Sequence, residues 1–292
     1  ALRLHKEIHP FGKQASLDSL GQERRGIVKR KVWRPILKST LTKSQRKKIL
    51  PRQGLQKIKV KLNEEVIKSR LVGGGHKQNY EDFDYYDEIS APTGNLSSLY
   101  AMIVNSATKG WKNMVFDIGQ AYLNAEMTGE TVHIKLDRVL SRLLAKVDKS
   151  GQYDYDKFLR EKDDELGEGT IVVELDKALY GCLQSARRWY DTLKESLTSM
   201  KYECSQRDPC VFRKHDENGK IVASVYMHVD DGYFSCESEQ LYDDFVDNLN
   251  KAFPFGVTYS KKSDSHFEYL GMMMDFSDKG KCHLTMKGYI EN

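Results

Sequence analysis

The sequence lacks the features that mark several common classes of protein. Its five cysteines contain no CxxC pair, so neither a zinc site nor a disulfide framework is expected, and a reducing intracellular setting fits best. No apolar run reaches the roughly 18 residues that a transmembrane helix needs, so we expect no membrane partner. No hydrophobic signal segment follows Ala1, and the absence of an initial Met suggests an excised piece of a longer chain.

Acidic residues are scarce at one end of the chain. Residues 1–77 hold 21 Lys and Arg against 5 Asp and Glu, whereas residues 78–292 hold 25 against 37. The net charge of +4 averages over this asymmetry, which favours a polyanionic partner for the basic part. A hydrophobic content of 39% is enough for a real core and excludes a wholly disordered chain.

Helical and strand patterns alternate along the chain, which predicts an α+β fold. Helices are expected at 95–109, 185–200 with Ser185 as its cap, and 238–252. The first would be capped by Asn95 or Thr93, would end at Gly110 and would bury one apolar face, made of Leu96, Leu99, Tyr100, Ile103 and Ala107. The expected strands and hairpins lie at 57–72, 114–118, 132–136, 170–175, 211–225, 222–235 and 267–285. Residues 1–30 read as an irregular basic arm, and residues 137–170 as a charged surface insertion.

Asp230 and Asp231 form the most informative pair of residues. Asp-Gly is a common turn pair, so these acids followed by Gly232 could simply close a hairpin. However, the preceding residues 225–229 are too apolar for an exposed loop, which predicts that the turn projects from a buried strand pair. Adjacent carboxylates repel each other unless a cation lies between them. Mg²⁺ favours such oxygen ligands.

A third acid is needed for a two-metal site, and Asp117 meets the requirement because it lies in an equally apolar strand. A turn or helix-cap aspartate is the alternative reading. Three acids at two strand ends match a site for phosphoryl transfer, in which one ion activates an attacking hydroxyl and another holds the triphosphate.

Five ordered blocks then resemble the reverse transcriptases of copia-type long-terminal-repeat retrotransposons. The blocks are RLVGGGHKQ at 70–78, FDIGQAYLN at 116–124, LYGCLQSARRWY at 179–190, YMHVDD at 226–231 and FEYLG at 267–271. They resemble, in turn, the family's fingers motif, first palm motif, LYGLKQAPRxWY block, YVDD box and FLG element. His228 departs from the family's usual Tyr, and Cys182-Leu183 replaces its Leu-Lys.

The resemblance implies a right-hand polymerase fold in which a palm antiparallel sheet packs against helices. It implies fingers at 31–110, a first palm part at 111–136 and a fingers and palm core at 171–292. The arm at 1–30 precedes these parts, and the insertion at 137–170 separates the two palm parts. That core would end at the primer grip, with Leu270 and Gly271 in it. The thumb and ribonuclease H would be absent or truncated.

The resemblance also implies the metal and nucleotide contacts. Asp117, Asp230 and Asp231 would be the catalytic metal ligands for two Mg²⁺ ions, with Mn²⁺ as a substitute, and the Ile118 carbonyl would be a further ligand. Tyr122 would lie under the sugar of the incoming nucleotide and exclude a 2′-hydroxyl; the alternative is a core aromatic residue.

Three further residues would contact the nucleotide. Gln184 aligns with the family's nucleotide-contacting Gln, although it could simply precede a helix cap. Lys68 and Arg70 would hold the triphosphate, although a solvated charged strand is the alternative for either. The glycines at 73–75 lack the spacing of a P-loop.

The predicted function is an RNA-directed DNA polymerase that uses a primer with an RNA or DNA template and deoxynucleoside triphosphates. Two alternatives stay open: a non-catalytic nucleic-acid-binding remnant of such an element, and a metal-dependent nuclease. The resemblance implies a cytoplasmic virus-like particle and a later nuclear stage. It leaves the oligomeric state undetermined.

Overall fold

A computed structural model describes residues 12–61, 64–148 and 154–286. Its α-helices are α1 (Gly12–Lys29), α2 (Lys43–Lys47), α3 (Leu96–Lys109), α4 (Arg138–Val147), α5 (Tyr155–Arg160), α6 (Ser185–Ser199) and α7 (Glu239–Ala252). Its first strands are β1 (Trp33–Ile36), β2 (Leu50–Lys61), β3 (Glu64–Gly73), β4 (Lys112–Ile118), β5 (His133–Leu136), β6 (Ile171–Leu175) and β7 (Glu203–Cys204). The later strands are β8 (Val211–His215), β9 (Ile221–His228), β10 (Asp231–Cys236), β11 (Val257–Tyr259), β12 (His266–Tyr269), β13 (Met272–Asp275) and β14 (His283–Thr285).

This mixture of helices with mostly antiparallel strands confirms the predicted α+β class. The chain divides into two compact units. The first unit contains Ala1–Ser90 and Tyr122–Trp189, and the second contains Ala91–Ala121 and Tyr190–Asn292. The division of the chain into arm, fingers, palm and insertion stays a prediction. Among the described helices, none combines the length and apolarity that crossing a membrane requires.

The first unit is built on a five-stranded sheet with the order β1-β6-β5-β2-β3. Its core includes residues from the segment predicted to be a surface insertion: Leu140, Leu144 and Tyr155 are all at most 3% exposed. The expectation that 137–170 is all surface is therefore wrong, whereas its status as an insertion stays a prediction. Apolar residues spaced four apart on α4 are buried against the sheet, although charged neighbours dominate the local composition.

Helix α1 corrects the expectation of irregular structure at 1–30; residues 1–11 lie outside the described residues. The helix packs along β3, the edge strand of the sheet. The Ser19 hydroxyl accepts from the Ser69 amide at 2.9 Å and donates to the Ile67 carbonyl at 2.9 Å. The Glu23 carboxylate accepts from the Leu71 amide at 3.2 Å. Because tertiary contacts stabilise most helices in proteins, the polar local sequence did not reveal this one.

The second unit contains a six-stranded sheet with the order β11-β4-β10-β9-β8-β7 and a three-stranded sheet with the order β12-β13-β14. Helix α3 begins and ends as predicted: the Asn95 side chain caps it, and Gly110 ends it with a φ of 64°. Two residues expected on its buried face are instead exposed, Leu96 at 48% and Tyr100 at 39%. Helix α7 packs Phe245 onto Phe234, with ring centroids 4.1 Å apart.

Candidate active site

The hairpin that carries the two adjacent acids turns one position earlier than the sequence predicts. Strand β9 ends at His228 and β10 begins at Asp231, so Val229 and Asp230 form a two-residue turn. Val229 has a φ of 62°, a conformation that β-branched residues rarely adopt. Such backbone strain costs about 1–3 kcal/mol and persists only where the surrounding structure imposes it.

Gly232 lies in β10, at a point where the strand closely approaches the Phe116 ring. A Cβ atom at Gly232 would lie 2.1 Å from the Phe116 Cζ atom. The expectation that Gly232 belongs to the turn is therefore wrong. The glycine permits packing between two strands, and the strained conformation falls on Val229 instead.

Strand register brings the three predicted catalytic acids to one end of the six-stranded sheet. Asp231 pairs directly with Asp117 on β4 and with His228 on β9. The amide of Ile118 donates to the carbonyl of Asp230 at 3.0 Å. Like charges directly opposite each other in a sheet are destabilising, so this arrangement favours a bound cation.

The donor set fits Mg²⁺ through two carboxylates. Among the described residues, no group of three or more His, Cys, Asp or Glu side chains is arranged to hold a metal ion. Mg²⁺ usually takes only one or two protein carboxylates and completes its coordination with substrate phosphates and water. The cross-strand pair of Asp117 and Asp231 offers two such carboxylates, and Asp230 lies next to it in the turn.

A tyrosine that the sequence did not single out supports this hairpin. The Tyr269 hydroxyl donates to the Asp231 carbonyl at 3.1 Å. Burial, reinforced by Tyr226 and Asp231, raises the pKa of Tyr269, so its phenol stays protonated and can donate. Tyr269 lies in the FEYLG block, but the block does not indicate which neighbour its hydroxyl meets.

Tyr269 also precedes the two residues predicted to form the primer grip. Leu270 and Gly271 make the turn between β12 and β13, with φ values of 50° and 77°. Two consecutive positive φ values are typical of a tight hairpin turn, in which glycine is favoured. The structure therefore links this turn to the acid-bearing hairpin through the Tyr269 hydrogen bond.

Two of the predicted nucleotide contacts meet in the first unit through Tyr180, a tyrosine between them. The rings of Tyr122 and Tyr180 stack with centroids 4.7 Å apart and planes inclined by 26°. The Arg70 guanidinium lies over the Tyr180 ring, 4.7 Å from its centroid. Tyr180 lies in the LYGCLQSARRWY block but was not predicted as a site residue.

Gln184 precedes α6, and its side chain is held by another amide. The backbone carbonyl of Gln184 accepts the first helical hydrogen bond, from the Arg188 backbone amide at 3.0 Å, so Gln184 occupies the cap position. The prediction of Ser185 as the cap is wrong, because its hydroxyl donates to the Leu179 carbonyl at 2.7 Å. The Gln78 Nε2 atom donates to Gln184 Oε1 at 3.0 Å.

Lys68 lies two residues before Arg70 on β3 and is exposed. Alternate residues of a strand share one face, so both cations project from the same face of the hairpin. The first unit thus contains Lys68, Arg70, Tyr122 and Gln184, and the second unit contains the three acids, Ile118 and the Leu270-Gly271 turn.

Comparison with known proteins shows that this chain is similar to reverse transcriptases. Residues 158–292 match the family model described as "Reverse transcriptase (RNA-dependent DNA polymerase)". The match includes Gln184, Asp230 and Asp231, whereas Asp117 precedes it. The solved structure of the foamy viral protease-reverse transcriptase dRH in complex with ds DNA aligns with a TM-score of 0.46 at 15% identity, covering 91% of this chain and 35% of that chain.

Two curated proteins are similar over most of this chain. The Retrovirus-related Pol polyprotein from transposon RE1 of Arabidopsis thaliana is 24% identical over 223 residues, which is 76% of this chain. The corresponding polyprotein from transposon TNT 1-94 of Nicotiana tabacum is 26% identical over 187 residues, or 64% of this chain. The aligned part spans 13% and 12% of these relatives' own lengths.

Proposed function

We propose that this chain, which belongs to the reverse transcriptases and is similar to those of copia-type retrotransposons, is an RNA-directed DNA polymerase module that extends a primer on an RNA or DNA template. The observation that carries the proposal is the register that sets Asp117 opposite Asp231, next to the Asp230 turn. A pair of Mg²⁺ ions, or Mn²⁺ in their place, would lower the pKa of the primer 3′-hydroxyl and neutralise charge on the triphosphate.

The residues of the second unit hold and orient the reacting groups in this proposal. The carboxylates of Asp117, Asp230 and Asp231 and the Ile118 carbonyl would supply the oxygen ligands. The Leu270-Gly271 turn would hold the primer end. Because the Tyr269 hydroxyl donates to the Asp231 carbonyl, a movement of the primer turn would shift the position of Asp231.

The residues of the first unit would bind the nucleotide. Lys68 and Arg70 would hold the triphosphate, because both cations project from one face of β3. Tyr122 would exclude a 2′-hydroxyl, and its stacking on Tyr180 would keep its ring in place. The names fingers and palm, the virus-like particle and the nuclear stage belong to the same proposal and rest on the family resemblance.

Primer extension on an RNA template, with Mg²⁺ and all four deoxynucleotides, tests the proposal in the natural protein. We expect Asp230→Asn to lower the extension rate at least about 100-fold, which corresponds to about 2.7 kcal/mol of barrier. The matched control is Asp247→Asn, since Asp247 is exposed on α7 and should extend as the wild type does.

Each alternative function has its own outcome in this assay. Absence of synthesis with either Mg²⁺ or Mn²⁺, together with retained nucleic-acid binding, would identify a non-catalytic remnant. Degradation of the primer–template without nucleotide incorporation would identify a nuclease. Synthesis that survives Asp230→Asn unchanged would contradict the assignment of the acids.

A further inference from the structure

The side-chain amide nitrogen of Gln184 is a buried donor that pairs with no acceptor in the described part of the chain. Gln184 is 1% exposed, and its Nε2 atom has no hydrogen-bond partner among the described residues. Leaving such a donor unpaired destabilises the fold. A native fold that retains it therefore calls for a reason, and a ligand that accepts the hydrogen bond is one such reason.

Two hydrogen bonds decide which way both amides face. The Leu183 backbone amide, which can only donate, lies 2.8 Å from the Gln78 side-chain oxygen. The Gln78 NH₂ group must therefore face Gln184, 3.0 Å away. Because an NH₂ group donates, the facing atom of Gln184 is its oxygen. The Gln184 NH₂ group is left as the group that a ligand can use.

Gln78 is itself fixed by the glycine segment that precedes it. Its backbone amide donates to the Gly75 carbonyl at 2.9 Å, at the end of a single 3₁₀ turn. That turn packs tightly, since a Cβ atom at Gly75 would lie 1.9 Å from the Gly181 carbonyl oxygen. The Gly73 amide also donates to the Tyr180 carbonyl at 2.7 Å. The contacts of Gly73 and Gly75 with Tyr180 and Gly181 thus hold Gln78 close to the segment that precedes Gln184.

We propose that Gln78 is a positioning residue that sets the amide orientation of Gln184, so that its NH₂ group donates to an acceptor oxygen of the incoming nucleoside triphosphate. This inference rests on the proposed polymerase function. An acceptor oxygen of the nucleotide would pair with the Nε2 donor, which has no partner among the described residues. An amide turned the other way would present an oxygen, which cannot donate to a sugar or phosphate oxygen.

The isosteric variant Gln78→Glu tests this orientation. A carboxylate at position 78 accepts from Leu183 as before but cannot donate to Gln184 at neutral pH. The Gln184 amide then turns its NH₂ group towards residue 78 and its oxygen towards the nucleotide. We expect the KM for deoxynucleotides to rise about tenfold, with kcat changing by less than about threefold and the thermal midpoint staying close to that of the wild type.

Two comparisons separate positioning from a merely structural role. Gln22→Glu makes the same charge change at an exposed position of α1 in the same unit and should leave KM unchanged. In a Gln184→Ala background, Gln78→Glu should raise KM by no more than about twofold, because its effect passes through Gln184. A KM that is unchanged by Gln78→Glu, or an equal rise in both backgrounds, would overturn the inference.

Deoxynucleotide binding, measured as a thermal shift with Mg²⁺, distinguishes failure of this inference from failure of the proposed function. If the wild type extends a primer and Gln78→Glu binds nucleotide equally well, only the positioning role falls. If the wild type binds nucleotide but does not extend a primer, and Gln78→Glu weakens that binding about tenfold, the polymerase proposal falls and the positioning role stands.

Discussion

The two units place their predicted site residues by different means. In the second unit, backbone pairing sets Asp117 opposite Asp231, so the positions of the acids follow from the register of two strands. In the first unit, side chains from separate segments meet: Arg70 and Tyr122 on Tyr180, and Gln78 on Gln184. Register is shared by a whole ladder and resists a single side-chain change, whereas a stack or an amide pair depends on each member.

Alkaline pH should break the second unit most strongly. Burial raises the pKa of both Tyr226 and Tyr242 to about 12, and it raises the pKa of Tyr202, Tyr233 and Tyr269 further. In an unfolded chain, the tyrosine side chain has a pKa of about 10. Each raised pKa therefore adds stability that is fully present below about pH 10 and is lost as pH rises towards the folded value.

Hydrogen exchange and tyrosine absorbance between pH 9 and 12 would follow this loss. Amides of β9 and β10 should lose protection as tyrosine ionises. Tyr233→Phe should reduce the pH dependence, whereas Tyr259→Phe, at a ring that is 45% exposed, serves as the control. Ionisation of the buried rings without any loss of protection would contradict the prediction.

The same glycine substitution should have opposite effects in the two units. Gly232→Ala places a Cβ atom 2.1 Å from the Phe116 ring, and overpacking of this kind costs about 1–3 kcal/mol. Gly21→Ala in α1 meets nothing nearer than Arg25 Nη1 at 3.5 Å, and alanine in a helix is about 0.5–1 kcal/mol more stable than glycine.

Urea unfolding measures both changes in the free energy of unfolding. Adding Phe116→Leu to Gly232→Ala should recover part of the loss, because the ring is what the new methyl group meets. A Gly232→Ala variant as stable as the wild type would show that β10 and β4 can separate, and that the register is less rigid than the structure indicates.

The smallest expected effect is in the aromatic stack of the first unit. Tyr180→Leu removes the ring on which Tyr122 lies, and such ring pairs contribute about 0.5–1.5 kcal/mol. The preference for deoxynucleotides over ribonucleotides should fall by up to about tenfold, measured as the ratio of kcat/KM values. Tyr80→Leu, at a 60% exposed ring of the same unit, is the control, and an equal loss of preference in both variants would remove the role of the stack.

Short-range patterns account for what the sequence predicted correctly. Asn95 and Gly110 delimit α3 because capping is a local interaction. The apolar flanks of Asp117 and of Asp230-Asp231 placed these acids on buried strands, and the register then brought them together. The assignment of metal and nucleotide roles stays a prediction.

Long-range contacts account for what the sequence could not predict. Glycine before an apolar strand suggested a turn at Gly232, but the Phe116 ring that occupies its space lies on a strand far away in the sequence. Gln78 and Gln184 are separated by 106 positions, and no local pattern joins them. The insertion at 137–170 looked like surface because its charges outnumber the few apolar residues that are buried.

Helix α1 has a consequence for how this protein behaves in concentrated solution. Strand β3 is the outer strand of its sheet, and an uncovered outer strand is a template on which other chains can pair and aggregate. The side chains of Ser19 and Glu23 accept hydrogen bonds from the backbone amides of Ser69 and Leu71. Two of the donors that an incoming strand would use are therefore already paired. Helix α1 therefore hinders intermolecular β-pairing at this edge, and a chain begun after residue 30 would lose that protection.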